Sequence, residues 1–339
     1  MRLSEVTTLR LGGPASEVVE ATTADELVDA VREADAAGTP VLLVAGGSNL
    51  VVADGGFDGR VVLVRTSGVV VDQDACSGAT VTVAAGESWD GLVARAVEQE
   101  WVGIEALAGI PGSVGATPVQ NVGAYGQEVA QSIIRVRTWD RHEGAVRTLT
   151  ADQCGFGYRT SRFKTEPDRH LLLDVTFQLR LGSLGAPVAY AELARALGVE
   201  VGERAPSVRV REAVLALRRG KGMVLDPADH DTWSAGSFFT NPVLTPAAAA
   251  RLPEDAPRFA QPDGTVKTSA AWLISQAGFE RGHGTTEASL STKHALALTN
   301  RGSASTADLL ALAREVRAGV RSCFGIELEP EPNLVGCAL

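Results

Sequence analysis

The chain has 339 residues, of which 45% are hydrophobic and 21% charged, and its formal net charge is −10 at pH 7. This length and balance predict an ordinary globular protein of two or three packed units. The acidic charge argues against nucleic acid or an anionic membrane as a partner. The sequence has no apolar run of membrane-spanning length and no signal-peptide pattern near Met1, so we expect a cytoplasmic protein.

The first half of the chain is predicted to mix strands with short helices. Val41–Val44, Arg60–Val64 and Val69–Val71 have the length and the β-branched content of strands, and Thr80–Val83 alternates in polarity. Ser88 is placed to cap a helix whose apolar residues recur on one face.

The middle of the chain contains the boundary of the first large unit. Leu171–Leu181 is predicted as the strand that ends it, and a glycine-containing connection that carries Tyr190 comes next. From about Ala205 the pattern indicates a separate α+β unit, whose first helix opens at Ser207.

The last helix has the clearest sequence signature. Ser305 and Asp308 form an S-x-x-D capping box, and apolar residues recur behind it at helical spacing. Gly325 marks the end of this helix, and Ile326–Leu328 is predicted to begin a final strand.

The cysteines are Cys76, Cys154, Cys323 and Cys337, which are scattered and form no C-x-x-C pair. We expect reduced structural thiols in a cytosolic protein. The five histidines are also dispersed, so no metal site is expected.

Two glycine-rich stretches are the strongest functional signals. Gly103–Glu128 reads GIEALAGIPGSVGATPVQNVGAYGQE and has only Glu105 as a charged residue before its last position. It is too apolar for a linker and too interrupted for a long helix, which leaves a turn between core elements or a backbone cradle for a cofactor pyrophosphate. The apolar run Val41–Val44 leads into the small-residue turn Gly46–Asn49, a second candidate cradle. Neither stretch matches a Rossmann or P-loop motif.

Four shorter clusters have both a structural and a functional interpretation. Gly157–Lys164 is a basic aromatic turn, and Arg218–Lys221 places basic residues where a helix dipole favours them or where they can bind phosphate. Gly236–Pro242 places a serine beside two phenylalanines in a turn without a hydrolase elbow. Leu328–Pro332 carries two carboxylates near the C-terminus.

The order and the amino-acid sequences of these clusters resemble those of the UDP-N-acetylenolpyruvoylglucosamine reductase (MurB) family from end to end. The matching motifs are TLRLGG, GGSNL, GIPGSVGATPVQNVGAYG, GYRTSRFK, AGSFFTNP and LEPE. Tyr190 resembles the tyrosine that covers the substrate in the type I subgroup.

The resemblance implies an α+β protein with a vanillyl-alcohol-oxidase (PCMH-type) FAD-binding fold over residues 1–200, split into two α+β subdomains near residue 67. A C-terminal α+β substrate-binding domain is expected over residues 205–339. The resemblance also implies non-covalent FAD, NADPH as hydride donor and UDP-N-acetylglucosamine-enolpyruvate as the substrate that is reduced to UDP-N-acetylmuramate. Neither glycine stretch contains a histidine or cysteine for a covalent flavin link, and we expect a monomer.

Three residues match the family's catalytic positions. In the family, hydride passes from flavin N5 to C3 of the enolpyruvyl group, which leaves negative charge at C2 and on the carboxylate. Arg159 matches the arginine that engages this carboxylate, and Glu331 matches the carboxyl group that helps to stabilise the intermediate. Ser237 matches the proton donor to C2.

The resemblance also implies two sets of binding residues. The residues that match FAD contacts are Gly46, Gly47, Ser48, Asn49, Leu50, Ile110, Pro111, Gly112, Ser113, Gln120, Asn121, Gly123 and Arg218. The residues that match substrate contacts are Tyr125, Tyr158, Tyr190, Lys221 and Asn241. The loop after Lys221 differs in length from the family pattern, and Asn333 stands where many members have an arginine.

Two other functions are weighed against the reductase. One is a different FAD-dependent oxidoreductase on the same fold, such as a sugar or alcohol oxidase, and the other is a catalytically silent FAD-binding paralogue. Both are disfavoured because Arg159, Ser237 and Glu331 are all present.

Overall fold

The computed structural model describes residues 1–339. The strands are β1 (Ala15–Ala21), β2 (Val41–Val44), β3 (Leu50–Val52), β4 (Phe57–Val64), β5 (Val69–Asp74), β6 (Gly78–Ala84), β7 (Trp101–Val102), β8 (Gly123–Ala124), β9 (Gln127–Glu128), β10 (Ile133–Asp140), β11 (Ala145–Thr150), β12 (His170–Leu181), β13 (Val243–Leu244), β14 (Phe259–Ala260), β15 (Val266–Lys267), β16 (Ala288–Leu290), β17 (Leu298–Asn300) and β18 (Asn333–Val335). The helices are α1 (Ala24–Ala36), α2 (Trp89–Glu98), α3 (Arg162–Thr165), α4 (Ala191–Leu197), α5 (Ser207–Gly220), α6 (Pro246–Ala249), α7 (Ala270–Gln276) and α8 (Thr306–Phe324).

The chain forms two compact units, each built from separate pieces of sequence. The central unit comprises residues 16–46 and 58–220, and the C-terminal unit comprises residues 1–15, 47–57 and 221–339. The domain ranges 1–200 and 205–339 inferred from the resemblance stay a prediction.

The central unit is organised around a large antiparallel sheet of order β11-β10-β12-β6-β5, with β7 also paired to β12. A smaller sheet has the order β1-β4-β2 and contains a parallel pair between β2 and β4. Helix α1 buries Leu27 and Val31 in a core with Val62, Val64 and other apolar residues of this unit. The strands predicted from β-branched content and alternation are confirmed, because they lie in β2, β4, β5, β6 and β12.

The sequence-predicted cap of α2 is also confirmed. The Ser88 side chain accepts a hydrogen bond from the Gly91 amide, and α2 begins at the next residue, Trp89. Trp89 is fully buried, and its ring lies 6.0 Å from that of Phe177 on β12. The start of α2 is thereby fixed against the large sheet.

The C-terminal unit contains short strands and the three helices α6, α7 and α8. Its strand pairs are the sheet β13-β15-β14, the hairpin β16-β17 and the parallel pair β3-β18. Its core gathers apolar residues from α7 and α8 together with Phe238, Phe239 and Leu328.

Helix α8 confirms the predicted capping box and stop signal. Ser305 and Asp308 exchange side-chain to backbone hydrogen bonds, and Gly325 ends the helix in a left-handed conformation at φ 67°. The predicted strand at Ile326–Leu328 is wrong, since these residues are not in a strand and β18 begins only at Asn333. Leu328 is buried in the core, while Pro330 and Pro332 lack the backbone N–H of a ladder residue.

Two chemical features complete the description. The four cysteines are free thiols. None of the helices combines the length and the hydropathy required to cross a membrane.

Candidate active site

The two glycine stretches meet in the central unit at Gly46 and Gly112. A β-carbon on Gly46 would lie 2.6 Å from the Gly112 α-carbon, which is closer than van der Waals contact. Gly112 itself has φ 111°, a conformation that favours glycine. Both positions therefore need glycine, and their backbones are bare of side chains where they approach each other.

The backbone around Gly112 is fixed at the start of α2. The Gly112 carbonyl accepts a hydrogen bond of 3.1 Å from the Trp89 amide, and Ser113 forms a β-bridge with Ser88. Pro111 is exposed, whereas Ile110 is half-buried and Ser113 is buried. The predicted flavin-contacting segment thus has a backbone held by hydrogen bonds and an exposed residue at Pro111.

Arg218 packs next to this segment from helix α5. A β-carbon on Gly109 would lie 3.4 Å from Cδ and 3.3 Å from Nε of Arg218, so the absence of a side chain at Gly109 makes room for the arginine. Arg218 is only 8% exposed, and burial lowers the pKa of its guanidinium, while Tyr125 and Asp90 act in the opposite direction. A buried cation is therefore held beside the predicted flavin segment.

Asn121 forms the centre of the next part of the segment. It is 1% exposed and has φ 46°. Its amide nitrogen donates to Glu128 Oε2 at 2.8 Å and to the Gly157 carbonyl at 3.1 Å, and its Oδ1 accepts from the Ala130 amide at 3.1 Å. The Asn121 side chain is thus used within the protein, while the preceding Gln120 is half-buried.

Arg159 is presented by a tight turn. The Gly157 and Thr160 backbones bond to each other in both directions, and Arg159 lies between them at φ 52°. Its guanidinium donates to the Gly123 carbonyl at 2.8 Å and to the Asn121 carbonyl at 3.4 Å. It also lies 5.6 Å from the centre of the Tyr158 ring, a cation–π contact.

The structure brings two predicted substrate tyrosines together. Tyr125 and Gly126 form the two-residue loop of the β8-β9 hairpin, both at positive φ, which is the geometry of a type I′ turn. The Tyr125 ring meets that of Tyr190 edge to face at 5.8 Å. Tyr190 immediately precedes α4 and is 48% exposed, which leaves much of its surface accessible.

Glu105 is a structural residue of this region that the sequence interpretation did not assign. It is 1% exposed, and its carboxylate accepts hydrogen bonds from the Gly103 amide at 2.7 Å, the Ala186 amide at 2.5 Å and the Gln127 side chain at 3.2 Å. Ala186 belongs to the connection that carries Tyr190. The sequence marked Glu105 only as the lone charge in an apolar segment.

The C-terminal unit brings Asn49 and Glu331 together. The Asn49 side chain donates to the Glu331 carbonyl at 3.3 Å, and the Asn333 amide donates to the Asn49 carbonyl at 2.9 Å. Leu50 follows in β3 and pairs with Asn333 of β18. Gly47 is buried at φ 58°, where a β-carbon would collide with the Val6 carbonyl, and Ser48 is half-buried.

The segments that carry Ser237 and Glu331 are hydrogen-bonded to each other through their backbones. The Glu331 amide donates to the Phe238 carbonyl at 2.8 Å, and Phe239 forms a β-bridge with Pro330. Phe238 and Phe239 are both buried, so they anchor the turn that holds the half-buried Ser237.

The two remaining predicted substrate residues also lie in the C-terminal unit. Asn241 Oδ1 accepts from the Ala270 amide at 2.9 Å, so it satisfies a backbone donor at the start of α7. Lys221 is half-buried directly after α5.

A buried ion pair precedes the Ser237 turn, and no sequence motif marked it. Asp231 accepts hydrogen bonds from the amide and hydroxyl of Thr292 and from Arg301 at 2.8 Å. Burial by itself raises the pKa of the Asp231 carboxyl, but these partners outweigh it and hold the pKa below its usual value. Asp231 thus ties the loop before Ser237 to the strand ends of the same unit.

Comparisons with known proteins match both parts of the chain. An FAD binding domain matches residues 15–150, and the C-terminal domain of UDP-N-acetylenolpyruvoylglucosamine reductase matches residues 226–335. The UDP-N-acetylenolpyruvoylglucosamine reductase of Cutibacterium acnes is 61% identical over 99% of this chain and 90% of its own length. That of Streptomyces coelicolor is 56% identical over 99% of this chain and 90% of its own.

One solved structure supports the same relationship. The crystal structure of MurB from Thermus caldophilus is 26% identical, has a TM-score of 0.68, and is matched over 99% of this chain and 97% of its own. The expected fold class, an α+β FAD-binding fold with a C-terminal α+β domain, is confirmed.

Proposed function

The chain belongs to the UDP-N-acetylenolpyruvoylglucosamine reductase family, and on this basis we propose that it reduces UDP-N-acetylglucosamine-enolpyruvate to UDP-N-acetylmuramate. FAD is the cofactor, NADPH is the hydride donor, and the product is a precursor of peptidoglycan. The observation that carries this proposal is the 61% identity over 99% of the chain to the Cutibacterium acnes reductase. We further propose that the protein acts as a monomer in the cytoplasm, where NADPH and nucleotide sugars are available.

Residues of the central unit fit FAD. A β-carbon on Gly46 would collide with the Gly112 α-carbon, so the two glycine stretches pack backbone to backbone with no side chain between them. Small-residue backbone of this kind suits a pyrophosphate. Arg218 supplies a buried positive charge beside the same segment. When bound, the flavin supplies the hydride that reduces the enolpyruvyl double bond. Gly47, Ser48, Asn49 and Leu50 are also proposed to contact FAD.

Arg159 is proposed to hold the substrate carboxylate. Its guanidinium is planar, permanently charged and suited to paired hydrogen bonds with a carboxylate. Two of its N–H groups donate hydrogen bonds to the carbonyls of Asn121 and Gly123, which hold the guanidinium in place. An arginine held in this way stabilises the negative charge that spreads from C2 into the carboxylate, with little reorganisation during the reaction.

Ser237 and Glu331 are proposed to complete the chemistry at C2. The Ser237 hydroxyl gives its proton to C2, and the Glu331 carboxyl group helps to stabilise the charge that precedes this transfer. The hydrogen bond between the Glu331 amide and the Phe238 carbonyl supports this assignment, because it keeps the two backbones adjacent. The buried Phe238 and Phe239 limit the motion of the turn.

Tyrosine and amide side chains are proposed to hold the rest of the substrate. Tyr125 and Tyr190 are proposed to contact it together, since their rings lie edge to face at 5.8 Å. Tyr158 packs against Arg159, so it supports the carboxylate contact. Lys221 and Asn241 are proposed to bind the diphosphate of the uridine nucleotide.

The proposal is tested by anaerobic stopped-flow absorbance in the blue absorption band of the flavin. NADPH is expected to bleach the band, and UDP-N-acetylglucosamine-enolpyruvate is then expected to restore it. Bleaching without recovery would identify a flavin reductase with another acceptor. Rapid recovery with oxygen alone would favour an oxidase, and failure to bind FAD would refute the proposal.

The role of Ser237 is tested separately with Ser237→Ala. This variant is expected to keep FAD reduction by NADPH but to lose at least about a hundredfold in the rate of flavin reoxidation by substrate. Ser322→Ala on the exposed face of α8 is the matched control. An equal loss in both half-reactions would argue against a proton donor at this position.

A further inference from the structure

Asn121 connects the turn that presents Arg159 with the hairpin that receives the arginine. Its side-chain nitrogen bonds the Gly157 carbonyl, which closes the Arg159 turn, and its own backbone carbonyl accepts from the Arg159 guanidinium. The same nitrogen donates to Glu128, and Oδ1 accepts from the Ala130 amide. Movement of Asn121 would therefore displace both ends of the Arg159 side chain.

Glu128 is one of the three groups that fix the orientation of the Asn121 amide, and the one that acts through its side chain. Glu128 Oε2 accepts from the Asn121 nitrogen at 2.8 Å, and a carboxylate can only accept, so the nitrogen of Asn121 must face it. A flipped Asn121 would direct an oxygen at the carboxylate and at the Gly157 carbonyl, and a nitrogen at the Ala130 amide. All three contacts would then be repulsive.

Glu128 is itself held by the β8-β9 hairpin. It pairs with Gly123, whose carbonyl is the second acceptor for Arg159, and its amide bonds the Gln131 side chain at 3.2 Å. A β-carbon on Gly123 would lie 3.0 Å from Cγ of Glu128 and 3.2 Å from Nη1 of Arg159. Glu128 and Arg159 therefore both pack next to a position that has no side chain.

We propose that Glu128 is a positioning residue that acts through Asn121 to hold the Arg159 guanidinium in the orientation that binds the substrate carboxylate. The inference rests on the proposed function, because it needs Arg159 to meet that carboxylate. Glu128 acts through a hydrogen bond whose acceptor sets the amide orientation, and its negative charge is not required. A glutamine at this position can still accept through Oε1, whereas an alanine cannot.

The test compares Glu128→Ala and Glu128→Gln with wild-type holoenzyme. Binding of two ligands to oxidised enzyme is measured by calorimetry: the enolpyruvyl substrate and UDP-N-acetylglucosamine, which lacks the carboxylate. Both half-reactions are followed by stopped-flow absorbance, and thermal unfolding is recorded for each variant. Glu98→Ala, at an exposed position on α2, is the control for the loss of one glutamate.

Glu128→Ala is expected to bind the enolpyruvyl substrate about tenfold more weakly and to reoxidise more slowly by a similar factor, since a hydrogen bond that holds Asn121 is lost. Its affinity for UDP-N-acetylglucosamine and its rate of reduction by NADPH are expected to stay within about twofold of wild type. Glu128→Gln is expected to recover most of the loss.

Three outcomes would overturn the positioning role while wild type still turns over. These are equal weakening of both ligands by Glu128→Ala, unchanged substrate affinity in that variant, or a Glu128→Gln variant as impaired as the alanine. If substrate does not reoxidise the reduced wild-type enzyme, the proposed function fails instead, and the two failures are thereby distinguished.

Discussion

The buried carboxylate of Glu105 gives a demanding prediction about local stability. In Glu105→Ala the Gly103 and Ala186 amides lose their acceptor, together with the Gln127 side chain. An unsatisfied buried donor costs about 1–3 kcal/mol, so the two backbone amides together imply a loss of about 2–6 kcal/mol. Glu105→Gln retains one acceptor oxygen but turns an N–H toward one donor, and it is expected to lose about 1–3 kcal/mol.

Native-state amide hydrogen exchange measures this effect where it arises. The opening free energy at Gly103 and Ala186 should fall by the amounts above, and protection should also fall in the connection from Gly182 to Tyr190. Glu98→Gln, at an exposed position at the end of α2, serves as the control. If Glu105→Ala lowers these values by less than about 1 kcal/mol, as expected for an exposed charge, the carboxylate does not hold the connection.

Three further predictions concern glycine packing, helix capping and pH. Gly46→Ala places a β-carbon against Gly112 and is expected to weaken FAD binding about tenfold by flavin fluorescence titration, whereas Gly55→Ala, with open space around it, should not. Ser305→Ala removes the cap of α8 and should lower the free energy of unfolding by about 1 kcal/mol in urea, and an unchanged value would exclude a capping contribution. Hydrogen bonds, the strongest from Arg169, lower the pKa of Asp140 to about 2. The ionised Asp140 should therefore contribute about 2 kcal/mol to the free energy of unfolding, fully above about pH 4 and progressively less as the pH falls toward 2. Stability curves of wild type and Asp140→Asn should converge over this acid range, and parallel curves would contradict the assignment.

Features governed by local rules were predictable from the sequence. The cap at Ser88, the capping box at Ser305 and the helix stop at Gly325 depend on residues within one turn of each other. The pattern of apolar residues and the β-branched content were sufficient to predict the strands β2 and β12. In these cases the neighbouring residues decide the backbone conformation, so no tertiary information is needed.

Features that depend on distant partners were not predictable. Ile326–Leu328 has strand composition, yet its apolar side chains are used to fill the core while the pairing strand forms after Pro332. The bonds of Glu105 to Ala186 and of Asn121 to Gly157 join residues that are remote in sequence. Sequence spacing carries no signal for such contacts. The only hint was the isolated charge of Glu105 in an otherwise apolar segment.

The candidate site was predictable in a different way. Motif resemblance supplied the residues, whereas the structure describes how the protein holds them. Asn121 illustrates the difference, since the structure shows its side chain bonded to three protein groups, while its contact with FAD stays a prediction. The catalytic roles of Arg159, Ser237 and Glu331 stay predictions that the half-reaction experiments test.

The parallel pair between β3 and β18 has a consequence for biosynthesis. During translation from the N-terminus, Leu50–Val52 emerges from the ribosome long before its partner Asn333–Val335 exists. The central unit ends at Gly220, so its sequence is complete while the C-terminal unit still lacks most of its chain. A nascent chain must therefore keep the β3 edge and the Asn49 turn open until the last residues arrive, and a premature stop before Asn333 would leave an unpaired edge exposed to chaperones and proteases.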